Sequence, residues 1–193
     1  MERKSIYVIL TRTKTLLSRL IQLVKKDMYT HAAISLDKDL TKMYSFGRKY
    51  TYLPFMGCLG IETIESGIYK KHKNLPGVIL EIKVNDWQYE KARMILNSFI
   101  SDSKRYKFHY AGLIDHILQR EVKLENKFLC SDFIYYVLKS CGILNLNTPE
   151  NLVRPQNIFL GLSHKIIYEG DLKKFQSNID TNYWQNKKAS SQK

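Results

Sequence analysis

The sequence predicts an α+β fold, in which an antiparallel β-sheet or half-barrel packs against helices. Strand-like runs at residues 30–36 and 41–46 flank the polar cluster Asp37-Lys38-Asp39, which is typical of a β-hairpin. Alternating apolar residues at 78–84 are followed directly by a helical pattern at 87–100. Hairpin-linked strands mixed with helices favour an α+β architecture over a doubly wound parallel sheet.

The other elements follow from hydrophobic spacing and from start and stop residues. Residues 6–11 predict a short buried strand, and Asn85-Asp86 predicts the cap of the helix at 87–100. The stretch 47–74 carries Pro54, several Gly and scattered aromatics, so we expect it to be irregular apart from one short strand. Five further elements are predicted: an amphipathic basic helix at 13–26, a helix at 110–118, a helix from Cys130 to Cys141 that Gly142 ends, a helical turn at 155–160 and a last strand at 164–168.

Length and composition predict one globular domain. The chain has 193 residues, of which 44% are apolar, enough for one sizeable core. We expect the domain to cover residues 1–184 and the polar tail 185–193 to be disordered. No apolar run approaches the roughly 20 residues that span a bilayer, and we find no secretion signal.

Charge and cysteine content bear on compartment and partners. Cysteines at 58, 130 and 141 form no CxxC pair, so neither a disulfide framework nor a zinc knuckle is indicated, and a reducing, cytoplasmic setting fits best. The net charge of +13 fits either attraction to an anionic membrane or polymer, with peripheral membrane contact, or a merely basic surface. Nucleic acid is disfavoured as a partner, because no motif for it occurs and the aromatic residues are spread throughout.

Cys130 is the first candidate for chemistry. It falls in the first turn of a predicted helix, where the positive end of the helix dipole stabilises a thiolate and free N–H groups can stabilise an oxyanion. The alternative is a small buried residue, as most unpaired cysteines are. Cys141 lies at the negative end of the same helix, which favours a packing role, and Cys58 is a weaker second candidate.

His31 is the candidate base. It opens a predicted strand on the same face as Ala33 and Ser35, whose small side chains leave room for another residue. The alternative is a structural histidine at a strand end. His109 and His116 lie seven residues apart on a predicted helix, but no third ligand follows at motif spacing, so we predict no metal and no cofactor.

The order of these parts resembles a known family. The segments THAAISLD, KMYSFGRK, VILEIKV, KFLCSDFIYYVLKSCGIL, RPQNIF and KIIYEG, in that order, resemble the circularly permuted branch of the NlpC-like, papain-fold cysteine hydrolases. YiiX- and YaeF-type proteins and, more distantly, lecithin retinol acyltransferase belong to that branch. The resemblance covers about residues 5–170 and rests on a His-bearing strand that precedes a Phe-x-Cys-Ser-x-Phe helix start.

The resemblance implies a permuted papain-like fold and roles for three residues. Cys130 matches the family nucleophile, at a helix N-terminus, and His31 matches the family base. The third catalytic position lies on the next strand, where this sequence has Ser45, with Tyr44 as its neighbour on the other face. Ser131 and Asp132 are expected to stabilise the first helical turn.

The implied activity is that of a peptidase-like or amidase-like hydrolase, or an acyl transferase. Its substrate would be a small molecule, a peptide or a lipid acyl group: a cell-wall peptide, another amide, or an ester. The competing hypothesis is a non-catalytic basic binding module of the same fold, in which the helix at 13–26 lies on an anionic membrane or polymer surface.

Overall fold

The computed structural model describes residues 4–12, 27–48, 57–70, 72–109, 112, 115, 118–122 and 126–175. The predicted basic helix at 13–26 and the predicted disordered tail at 185–193 lie outside the described residues. Most of the predicted helix at 110–118, including His116, also lies outside them.

The described residues form eight strands, four α-helices and two 3₁₀ turns. The strands are β1 Ser5–Thr11, β2 His31–Ser35, β3 Met43–Arg48, β4 Gly57–Glu62, β5 Pro76–Lys83, β6 Lys107–Phe108, β7 Lys127–Phe128 and β8 Ile166–Asp171. The helices are α1 Gly67–Lys70, α2 Asp86–Ser101, α3 Cys130–Ser140 and α4 Pro155–Leu162. The 3₁₀ turns are Glu150–Leu152 and Ser163–Lys165.

Six of these strands form one antiparallel sheet in the order β4-β3-β2-β1-β5-β8. The central strand β1 is buried along its whole length, because the sheet is covered on both faces. The short strands β6 and β7 form a separate parallel pair. The antiparallel sheet packed against helices confirms the α+β prediction.

Alternation along the strands divides the core into two clusters. Ile6, Val8 and Leu10 of β1 pack with the buried residues of α2 and α3. Tyr7 and Ile9 point to the other face, where Tyr69 of α1, Leu75 and Leu172 cover them. Side chains at i and i+2 share a face of a strand, so β1 contributes to both cores.

The helix boundaries follow from local chemistry. The Asn85 side chain accepts a hydrogen bond from the Gln88 N–H, and the Gln88 side chain accepts one from the Asn85 N–H, which forms a capping box at the start of α2. Gly142 has φ of 64° just beyond α3, a conformation that glycine adopts at low cost.

One prediction is confirmed and one needs correction. Residues 57–62 form β4, the short strand expected within the stretch 47–74, and they pair along the whole of β3. The last strand starts at Ile166, and His164 lies in the 3₁₀ turn before it. None of the described helices combines the length and apolar character that a membrane crossing needs.

Candidate active site

Cys130 is the first residue of α3 and is partly exposed. The face of the helix that packs on the core carries Ile134, Val137 and Leu138, which are all buried. At its start, the Asp132 carboxylate accepts a hydrogen bond from the Leu129 N–H at 3.1 Å. The first-turn N–H groups of a helix have no partner within the helix, so the thiol lies beside free donors and the positive end of the dipole.

His31 is the first residue of β2, and 7% of its surface is exposed. The residues that lead into it are tied to the start of α4. Asp27 forms an ion pair with Arg154 at 2.6 Å, and the Met28 N–H donates to the Gln156 side chain at 3.1 Å. These contacts fix the point at which the chain enters the sheet and therefore the position of His31.

The Nε2 atom of His31 has two oxygen neighbours. Glu62 Oε2, on β4, lies at 3.3 Å and Ser45 Oγ, on β3, at 3.2 Å. Ser45 donates its one hydroxyl proton to the Ala32 carbonyl at 2.8 Å, so its oxygen accepts toward His31. Two acceptors at Nε2 favour the form of the ring that carries a proton there. The Cys130 thiol lies close enough to the same ring to raise its pKa.

The surroundings of His31 favour its charged form. Burial opposes the imidazolium, but the hydrogen bonds with Cys130 and Glu62 and the negative charge of both groups outweigh burial. Together these effects raise the pKa of His31 from 6.5 to about 10. The ring therefore carries a positive charge at neutral pH and can stabilise a thiolate on Cys130.

Gly47 leaves the space that this arrangement occupies. A Cβ atom at Gly47 would lie 3.1 Å from Glu62 Oε1 and 3.9 Å from His31 Cε1. The first distance is shorter than an ordinary van der Waals contact. A glycine on β3 thus lets the carboxylate of the neighbouring strand reach the imidazole.

The structure brings together the three residues that the sequence predicts for the site. Cys130, His31 and Ser45 meet at one end of the sheet, while Tyr44 points to the opposite face and packs on the α2–α3 core. Their catalytic roles stay predictions. Sequence reasoning missed Glu62, the last residue of β4, because its contact with His31 joins two segments that are far apart along the chain.

The other sequence candidates lie elsewhere. Cys141 is fully buried, and burial raises the pKa of its thiol, as a packing role requires. The Cys58 side chain lies outside the described side chains. His109 is buried 3.7 Å from the Asp115 carboxylate, and the described residues contain no group of three or more side chains suited to a metal ion.

No family model, curated protein or solved structure matches this chain. The chemistry of the site therefore rests on its own residues. A thiol at a helix N-terminus, an imidazole beside it and a carboxylate behind the imidazole can together activate a nucleophile.

A separate cavity of about 380 Å³ lies beside the outer face of α3. Asp132 and Lys139 line it from the helix, and His109 and Glu150 line it from the adjoining segments. Neither Cys130 nor His31 contributes to its wall. The cavity is thus distinct from the space in which the thiol and the imidazole meet.

Proposed function

We propose that this protein is a cysteine-dependent hydrolase or acyl transferase that acts on an amide or ester bond. Cys130 is the nucleophile, His31 is the base, and Glu62 with Ser45 orients the imidazole. The observation that supports this proposal is the buried ring of His31, whose Nε2 lies 3.3 Å from the Glu62 carboxylate and whose pKa is raised by the nearby, partly exposed Cys130 thiol. A packing cysteine requires neither partner.

In the first half of the proposed reaction, the thiolate sulfur attacks the substrate carbonyl carbon. The carbonyl electron pair moves to oxygen, and N–H groups of the first turn of α3 stabilise the oxyanion. When the tetrahedral intermediate collapses, the bond to the leaving amine or alcohol breaks. His31 gives its Nδ1 proton to that group, and a thioester remains on Cys130.

In the second half, His31 is neutral and acts as the general base. It takes a proton from water or from an acceptor hydroxyl or amine, whose oxygen or nitrogen attacks the thioester carbonyl. The thiolate then leaves, and the imidazolium–thiolate pair forms again. Glu62 and Ser45 accept from Nε2–H throughout, so the ring keeps its orientation while Nδ1 gains and loses its proton.

We further propose that the fold is the circularly permuted papain-like fold of the NlpC-like hydrolases. In support, the base-bearing strand precedes the nucleophile helix along the chain, and the helix begins at the cysteine itself. The antiparallel sheet places its first two hairpins, β2–β3 and β3–β4, next to one another. These hairpins carry His31, Ser45 and Glu62, three of the four residues of the proposed machinery.

The test is capture of the acyl-enzyme. The purified protein is mixed with p-nitrophenyl esters of increasing acyl length and followed by p-nitrophenol release and intact mass. We expect a burst of p-nitrophenol and a mass increase of one acyl group, which peptide mapping places on Cys130. Cys130→Ala should show neither, whereas Cys141→Ala, which changes the buried cysteine just after α3, should keep both.

The opposite result favours the non-catalytic alternative. If no acyl group attaches to Cys130 with any ester, or if Cys130→Ala is acylated equally, the thiol is not a nucleophile. Equal binding of the parent and Cys130→Ala to anionic vesicles would then fit a basic binding module, as the net charge of +13 allows.

A further inference from the structure

Tyr69 is a buried residue next to the site that the proposed reaction does not use. It belongs to the short helix α1, which follows β4 by a few residues, and its side chain is completely buried. Its ring meets the His31 ring edge-on, with centroids 5.8 Å apart and planes at 61°. Tyr69 therefore covers the imidazole from the face of the sheet opposite α3.

The Tyr69 hydroxyl stays protonated and has few groups to which it can donate. Burial, with the charge of Glu62, raises its pKa well above 10, so the group is a neutral donor at any working pH. Within the described part of the chain it makes no hydrogen bond of ordinary length and angle. Thr11 and Glu62 are near enough to the hydroxyl for hydrogen bonding with them to affect its pKa.

Thr11 lies where its hydroxyl can donate to Tyr69, which leaves the Tyr69 hydroxyl proton for Glu62. It pairs with His31 in the β1–β2 register, so both side chains lie on the same face of the sheet. Its own hydroxyl is buried and also lacks an ordinary hydrogen bond. If Thr11 donates to the Tyr69 oxygen, the Tyr69 proton is free for Glu62. A buried hydroxyl without a partner is costly, which favours this closure.

We propose that Tyr69 is a positioning residue that donates a hydrogen bond to Glu62 and holds the carboxylate against Nε2 of His31. This inference rests on the proposed function and adds a fifth residue to the machinery. Glu62 has two carboxylate oxygens, and the Oε2 atom faces His31. A donor on the carboxylate fixes its rotation, so the charge of Glu62 acts on the imidazolium at a short and constant distance.

The test is an NMR titration of the His31 ring in protein labelled at histidine, with Tyr69→Phe and Glu62→Gln made singly and together. Tyr69→Phe keeps the ring that packs on His31 and removes only the hydroxyl. We expect it to lower the His31 titration midpoint by about half a pH unit or more, because the carboxylate loses its fixed position. In the Glu62→Gln background the same change should have no effect, since Tyr69 acts through Glu62.

Tyr44→Phe is the matched control, because Tyr44 lies on the opposite face of β3, and it should leave the midpoint unchanged. An unchanged midpoint in Tyr69→Phe overturns the proposal. A higher midpoint also overturns it, because it would mean that the hydroxyl weakens the interaction of Glu62 with His31. An equal shift in the Glu62→Gln background would mean that Tyr69 acts by packing alone. The titration needs no substrate. An unreactive Cys130 would therefore contradict the proposed function without affecting the interpretation of the titration.

Discussion

At the scale of single residues, Glu62 changes the chemistry expected of His31. A hydroxyl at the third position, as Ser45 provides, orients an imidazole but adds no charge to hold it as an imidazolium. The Glu62 carboxylate adds that charge at 3.3 Å from Nε2. Burial alone would lower the pKa of His31. The carboxylate and the thiol together outweigh burial, so the pKa is raised.

Replacing Glu62 with Gln is expected to slow alkylation of Cys130 at pH 6.5 by roughly tenfold, the equivalent of about 1.4 kcal/mol. The amide keeps the size of the side chain but removes the charge that stabilises the imidazolium, and with it the thiolate. The rate is measured by peptide mass spectrometry after brief exposure to iodoacetamide. Glu65→Gln is the control, since Glu65 is exposed and pairs with Lys173, and it should label like the parent. Equal rates in the two variants would remove Glu62 from the machinery.

Cys130 and His31 each have a local signal, a helix start for one and a strand of small residues for the other, but it was the family resemblance that paired them. Ser45 came only from the family resemblance. Glu62 and Tyr69 were not predicted, since both act through contacts between segments that are far apart along the chain. Neither the His31–Glu62 contact nor the His31–Tyr69 contact leaves a spacing pattern that a single sequence can show.

At the scale of elements, the β3–β4 hairpin decides whether Glu62 can reach His31. Gly47 on β3 pairs with Cys58, and Ser45 pairs with Gly60, so both glycines lie on the side of the sheet that carries the site. Their surroundings differ. A Cβ atom at Gly47 would contact Glu62, whereas a Cβ atom at Gly60 would meet nothing within 4 Å.

Gly47→Ala is therefore expected to slow Cys130 alkylation, and Gly60→Ala is expected to leave it unchanged. The added methyl group displaces the Glu62 carboxylate from its preferred rotamer, which costs about 0.5–1.5 kcal/mol, or roughly two- to tenfold in rate. Initial labelling rates of the two variants at pH 6.5 provide the comparison. If Gly60→Ala slows labelling as much as Gly47→Ala, strand stability rather than the space beside Glu62 explains the effect.

Most of the elements were predictable because their signals are local. The capped helix α2, the β2–β3 hairpin and the helix that begins at Cys130 all follow from spacing and end residues. One short strand was expected between residues 47 and 74, but the bounds of β4 were not predictable, because Gly57 and Gly60 are poor strand formers and Cys58, Leu59 and Ile61 alone give a weak pattern. Pairing with β3 supplies what the local sequence lacks.

At the scale of the whole molecule, an aromatic cluster joins the sheet to the helices that support the site. Phe99 of α2 stacks on Tyr106 with centroids 3.9 Å apart and lies 5.1 Å from Phe133 of α3. Phe46 of β3 lies 5.2 Å from the same Phe133 ring. The strand that carries Ser45 and the helix that carries Cys130 thus share one packed core, which fixes their distance.

Phe99→Ala is expected to lower the free energy of unfolding by about 3–5 kcal/mol, because it removes a buried ring from the centre of this cluster. Trp87→Ala, on the same helix, should change it by no more than about 0.5 kcal/mol, since 63% of the Trp87 surface is exposed. Urea denaturation followed by circular dichroism measures both. Similar losses in the two variants would contradict the role of the cluster as the shared core.

We propose that Cys130 reacts as a thiolate because His31 is charged beside it. Alkylation of Cys130 in the folded protein at pH 6.5, with glutathione as the reference thiol, tests this proposal. A free thiol with a pKa near 8.5 reacts about tenfold more slowly for each pH unit below that value. Because the pKa of His31 is raised to about 10, the ring should stay an imidazolium through the neutral range.

We expect brief iodoacetamide treatment at pH 6.5 to label Cys130 about tenfold or more faster than it labels glutathione. Cys141 should lag, because burial raises its pKa, and His31→Ala should slow the labelling of Cys130 to the rate of an ordinary thiol. Labelling of Cys130 no faster than that of glutathione, or a His31→Ala variant that labels as fast as the parent, would mean that Cys130 is an ordinary thiol.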